Sequence, residues 1–178
     1  MQLEWMKSAP TLAQDPVEGF DPNAVTTSEV FDIAAPARVV WGLLTDLENY
    51  SAWNPFCIRA EGRIELGHAV VMTLINYAVP GTLFPNCEFI SSLVPERQIS
   101  WDLPNDPAWP YPARRDQVIE PTGAESCRYF STDAFLGQNG IHVFRFAGPW
   151  VKRAFDDTGR ALKARAEMLY AAEKEPEN

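Results

Sequence analysis

Two runs in the second half of the chain set polar side chains at alternate positions: Arg114-Arg115-Asp116-Gln117-Val118-Ile119-Glu120-Pro121 and Tyr129-Phe130-Ser131-Thr132-Asp133-Ala134-Phe135-Leu136-Gly137. Alternation of this kind belongs to β-strands, where every second side chain shares a face. If Phe135 points to the core, Asp133, Ser131 and Tyr129 follow it, and an inward Ile119 takes Gln117 and Arg115 with it. The turn near Thr122-Gly123 sets the register. A five-residue loop places Arg115 opposite Asp133 and Gln117 opposite Ser131, whereas a three-residue loop moves Arg115 to Ser131. In either register a guanidinium, a carboxylate and an amide share one wall. With the opposite facing, Arg115 and Asp133 form a solvent-side pair worth well under ~1 kcal/mol. A buried carboxylate beside arginine is expected to stay ionised, fit to orient a ligand hydroxyl or accept its proton. Asp133, Arg115 and His142 are therefore the catalytic candidates, with Tyr129 as a further proton carrier.

Other chemistries find no support. There is no Gly-x-Ser-x-Gly, no cysteine paired by spacing with His and Asn, no glycine-rich phosphate loop and no dinucleotide fingerprint. Two histidines, His68 and His142, are too few for a multi-histidine metal site, so neither metal nor cofactor is expected. The three cysteines, Cys57, Cys87 and Cys127, are far apart and read as reduced structural thiols.

Composition bounds the partners. With 46% hydrophobic and 22% charged residues over 178 positions, the chain reads as one soluble domain. A net charge of -9 and a pI near 4.7 argue against nucleic acid and anionic membrane. No apolar run approaches the ~18 to 20 residues of a membrane span, so no insertion is expected and a cytoplasmic location is the default.

The elements that must position these residues follow from periodicity and punctuation. Residues 1–24, with Pro10, Pro16, Gly19 and Pro22, read as an irregular arm that Trp5, Met6 or Phe20 could anchor; residues 25–175 read as a single domain. Ala24 to Ile33 reads as a strand. Pro36 then suits a helix start, and Val39, Val40, Leu43, Leu44 and Leu47 recur at helical steps. Asp46 can cap a second short helix, Leu47 to Trp53, which Asn54-Pro55 ends. Strands follow at Cys57 to Leu66, Ala69 to Asn76, Leu83 to Val94, Gln98 to Leu103, Arg114 to Glu120 and Cys127 to Leu136. The last element is a helix whose better part starts at Pro149, with Val151, Phe155, Leu162 and Leu169 on one face.

A strand, then two short helices closed by Trp53-Asn54-Pro55-Phe56, resembles the opening of the SRPBCC (START/Bet v1-like) superfamily, in its polyketide cyclase/dehydrase-like branch. The resemblance implies an α+β helix-grip fold, with six to seven curved antiparallel strands around the long C-terminal helix and a cavity between them. It also implies a hydrophobic guest, aromatic, polyketide-like or lipid. Ser131, Asp133, Phe135 and Gly137 fall on that family's His-x-Glu-x-Phe-x-Gly strand, with Ser for His and Asp for Glu. Residues 77–83 and 104–113 resemble the gate and latch loops of plant hormone receptors in the superfamily. The expected ligand contacts are therefore Tyr77, Phe84, Trp101, Trp109, Tyr111, Gln117, Tyr129, Ser131, Phe135 and Phe155. Three readings follow: a binding protein, a cyclase, dehydratase or lyase using the cavity's acid and base groups, or a regulatory partner with a vestigial cavity. Exposed aromatics also make a homodimer compatible with the sequence.

Overall fold

The computed structural model describes residues 19–104 and 111–174; the arm up to residue 18 and Trp109 lie outside them. Among the described residues eight strands form an antiparallel sheet: β1 (Val25–Thr27), β2 (Phe31–Ile33), β3 (Cys57–Gly62), β4 (Ala69–Ile75), β5 (Leu83–Val94), β6 (Gln98–Leu103), β7 (Ala113–Gly123) and β8 (Ser126–Phe135). The order is β1-β8-β7-β6-β5-β4-β3, with β2 also paired to β8. Helix α1 (Ala37–Thr45) and a 3-10 helix (Leu47–Ala52) follow β2, and α2 (Gly140–Lys174) comes last. This is the helix-grip arrangement.

The expected first strand is split in two. Ser28 donates its N–H to the Ser131 carbonyl (2.9 Å), while the Ser131 N–H goes to Ser28 Oγ (3.0 Å). A side chain thus takes the place of a ladder carbonyl, which is the local competition serine offers. The Glu29 N–H turns instead to Asp156 Oδ1 on α2 (2.7 Å), so the break also fastens strand to helix.

Helix α1 buries Ala37, Val39, Val40, Leu43 and Leu44, the face its spacing indicates. The second helix is 3-10, and Asp46 makes no side-chain cap to its backbone. Asn54 explains the Trp-Asn-Pro-Phe signature. Its Oδ1 accepts the N–H groups of Phe56 and Cys57 (both 2.9 Å), closing the turn that starts β3. These are buried donors that would otherwise go unpaired.

Helix α2 begins at Gly140, nine residues before Pro149, which lies inside it. Proline there forgoes the bond to the Arg145 carbonyl, and the exposed position spares the freed carbonyl from burial. Further along, α2 comes so near β2 that a Cβ on Gly159 would lie 2.1 Å from Phe31 Cε2. The core sits between this helix and the sheet, with Phe31, Ile33, Ile90, Ile99, Trp101, Tyr129, Phe155 and Leu162 almost fully buried.

Candidate functional site

β7 and β8 join in the register that sets Arg115 opposite Asp133 and Gln117 opposite Ser131. On the other side Arg115 faces Trp101 of β6, and Trp101 faces Ile90 of β5. All of these point toward α2, because the Arg115 Cζ lies 4.1 Å above the Phe155 ring. The inward facing of this wall thus follows from the two-residue period anchored by buried Phe135.

The wall is polar at its centre and largely closed to solvent, with Asp133 half-buried at its margin. Arg115, Gln117, Tyr129, Ser131 and Trp101 are all buried. The Tyr129 hydroxyl donates to Gln117 Oε1 (3.2 Å). Among the described residues, Arg115 Nε and Nη2, Gln117 Nε2, Trp101 Nε1, Trp53 Nε1 and Ser131 Oγ are buried and find no hydrogen-bond partner. Orphaned donors of this kind cost free energy unless a ligand or water meets them.

Glu88 of β5 also joins the wall. It pairs with fully buried Val70 and so shares the inner face, its Oε2 buried and unpartnered. Among the described residues its carboxylate accepts one hydrogen bond, from Asn86 Nδ2 (2.7 Å). Burial pushes Glu88 up to about 7 against the pull of Arg115. Asp133 also rises to about 7, first by burial and then by the nearby Glu88, despite Arg115. The expectation that Arg115 keeps Asp133 ionised is thereby corrected: desolvation and a second carboxyl outweigh one guanidinium. Tyr50 and Cys57 face the same Arg115, and burial raises both, Cys57 to about 11.

The remaining candidates are placed as follows. Tyr77, in the loop after β4, donates its hydroxyl to Asp157 Oδ2 (2.9 Å) and sets its ring edge-on to Phe56. Phe84 packs edge-on to Trp150, and Phe135 packs against Phe144. Tyr111 is 40% exposed. His142 is exposed in the first turn of α2 and is not brought to the wall, since the helix starts earlier than its sequence suggests. A separate surface groove of about 620 Å³ between α1 and the last turns of α2 touches none of these residues. Among the described residues no three metal-ligating side chains cluster.

Sheet, helix and polar wall define a helix-grip protein, and the chain belongs to the polyketide cyclase / dehydrase and lipid transport family, whose model matches residues 24–167. Among solved structures it is similar to the Zhui aromatase/cyclase from Streptomyces sp. R1128, at 21% identity over 83% of this chain and 98% of that one (TM-score 0.65). A START superfamily protein from Mycobacterium smegmatis is 14% identical over 82% and 98% (TM-score 0.62). Norcoclaurine synthase from Thalictrum flavum, a point mutant with a transition-state analogue, is 15% identical over 82% and 94% (TM-score 0.56). At these identities the likeness concerns the fold. No curated protein matches the chain.

Proposed function

We propose that the protein binds a hydrophobic small molecule between the inner face of the sheet and α2. The observation that carries this reading is the set of sealed, unpartnered polar atoms on Trp101, Arg115, Gln117 and Ser131 amid an apolar core. Ligand sites of this class are apolar with a few convergent polar groups. Native mass spectrometry of the purified protein tests it. The expected result is a mass above the 20.0 kDa chain and an extractable organic compound. A bare chain that takes up no apolar compound from a mixed library overturns it.

A second reading, an enzyme moving a proton on that ligand, is favoured by Asp133 and Glu88, both held near 7 beside Arg115. A carboxyl at that value can both give and take a proton at neutral pH. The likeness to an aromatase/cyclase and to norcoclaurine synthase supports the same reading. Given an identified substrate, Asp133→Asn is expected to lower kcat by about 100-fold or more. Unchanged turnover removes Asp133 from the reaction.

A further inference from the structure

The inner wall holds an arginine whose binding edge is left open. Arg115 is supported from below by the Phe155 ring and flanked by Asp133 and Trp101 on the neighbouring strands. Its Nε and Nη2 nevertheless make no hydrogen bond among the described residues, although both are buried. An arginine retained only for folding would turn its donors to a carboxylate, as Arg114 does on the opposite face, where Nε meets Asp116 Oδ1 at 2.9 Å. The two arginines are neighbours in sequence with different outcomes: Arg114 is paired with a carboxylate, whereas Arg115 bonds the Tyr129 hydroxyl and keeps Nε and Nη2 open. The Trp101 indole N–H adds another unpartnered donor on the strand next to Arg115. The surplus at this point is of donors, which calls for an acceptor-rich, negatively charged guest.

We propose that Arg115 seats an oxygen anion of the ligand, and that Glu88 and Asp133 make its binding proton-coupled, tight when both carboxyls are neutral and weak when both are charged. The inference rests on the same wall being the ligand site and adds the charge of the guest and the control of its affinity.

The charge count around the guanidinium fixes the direction. From β3 it is faced by Cys57, from the 3-10 helix by Tyr50, from β5 by Glu88, and from β8 by Tyr129 and Asp133. Phe155 of α2 brings no charge. Burial keeps the thiol and both phenols neutral through the physiological range. Across the sheet, Asp116 and Arg114 form their own pair, and Asp102 adds a weaker repulsion to Glu88. With both inner carboxyls protonated, the wall is a net monocation and attracts an anion. With both ionised it is a net monoanion and repels one. Anion binding in turn favours the protonated carboxyls, so uptake of the guest takes up protons.

A dye pair tests this on the full chain. 1-Anilinonaphthalene-8-sulfonate is an aromatic anion whose sulfonate does not titrate over the range used, and Nile red is a neutral apolar probe. The anionic dye is expected to bind at least about tenfold more tightly at about pH 5.5 than at about pH 8.5, and Nile red equally at both. The folded Arg115→Gln variant is expected to lose the anionic dye and keep Nile red. Should Arg115→Gln fail to fold, the double variant Glu88→Gln/Asp133→Asn decides: it is expected to bind the anionic dye at both pH values as tightly as the parent does at the lower one. A pH-independent affinity in the parent overturns the proposal. So does undiminished anionic-dye binding by Arg115→Gln, or persistent pH dependence in the double variant. If the anion dependence fails while Nile red still binds and is displaced by apolar compounds, the proposed function stands without this addition. If neither dye binds, both fall.

Discussion

Asp133 and Glu88 show how two carboxyls come to be uncharged near neutrality without a special bond. Desolvation is the largest cause at each; at Asp133 the charge of Glu88 adds to it and outweighs Arg115, whereas at Glu88 Arg115 and the Asn86 hydrogen bond only partly offset it. Both therefore have folded values of about 7, above their ordinary 3.8 and 4.5. Between those limits the folded protein holds protons that the unfolded chain has already released. The stability these groups contribute is present in full below about pH 4 and is lost as pH rises through about 7. Denaturant titration is expected to show stability falling across that window by on the order of 1 kcal/mol or more. Glu88→Gln/Asp133→Asn is expected to flatten the fall and to gain most over the parent at about pH 8. An unaltered slope in the double variant means that other groups are responsible for it.

At the scale of elements, the contact between α2 and β2 is set by a missing side chain. Gly159 lets the helix approach until the Phe31 ring occupies the space of a Cβ. Gly159→Ala gains roughly 1 kcal/mol of helix propensity. It also forces the ring or the helix aside, a cost of about 1–3 kcal/mol. The expected result is a net loss in thermal and denaturant unfolding, relieved when Phe31→Leu is added; a stabilised single variant would show that the pair relaxes freely. The same element level shows what the sequence could disclose. β5 and β6 have the bounds their apolar runs indicate, and the inward facing of Arg115 and Asp133 follows once buried Phe135 fixes the face; their register, which sequence leaves open between Asp133 and Ser131, is settled by the turn after Pro121. Glu88 is the residue that local sequence places least well. In β5 the apolar neighbours Cys87 and Phe89 face outward while Glu88 and Asn86 face α2, so hydrophobic alternation points to the wrong side. Only pairing with Val70 reveals this, and pairing is not local information. Pro149 misleads in a similar way: a proline suited to a first turn also fits an exposed helix interior. His142 then falls in that helix's exposed first turn rather than near the wall.

Taken as a whole, the molecule holds its long helix unequally on its two flanks. On the β1–β2 flank the strands themselves grip α2: Glu29 Oε1 meets Arg160 Nη2 (2.7 Å), the Ala34 N–H meets Glu167 Oε1 (2.9 Å), and Lys163 meets the Asp32 carbonyl. On the opposite flank the loop after β4 reaches the helix through Tyr77, whose hydroxyl donates to Asp157 and whose carbonyl accepts Arg153 Nη2 (3.2 Å). That loop is built on the Asn76 side chain, which accepts the N–H groups of Ala78 and Val79 (3.0 Å each), and it turns at Gly81 with φ 84°. A guest bound against Arg115 has to pass between sheet and helix, and the flank tied through a short loop opens at the lower cost. Tyr77→Phe removes the hydroxyl tether while leaving the ring on Phe56. It is expected to cost about 1 kcal/mol of stability or less. Stopped-flow mixing with Nile red is expected to show association and dissociation both accelerated, by about two- to tenfold, at an affinity changed by less than about twofold. Rates equal to the parent's would place the route elsewhere, and a shifted affinity at constant association rate would make Tyr77 a ligand contact rather than a tether.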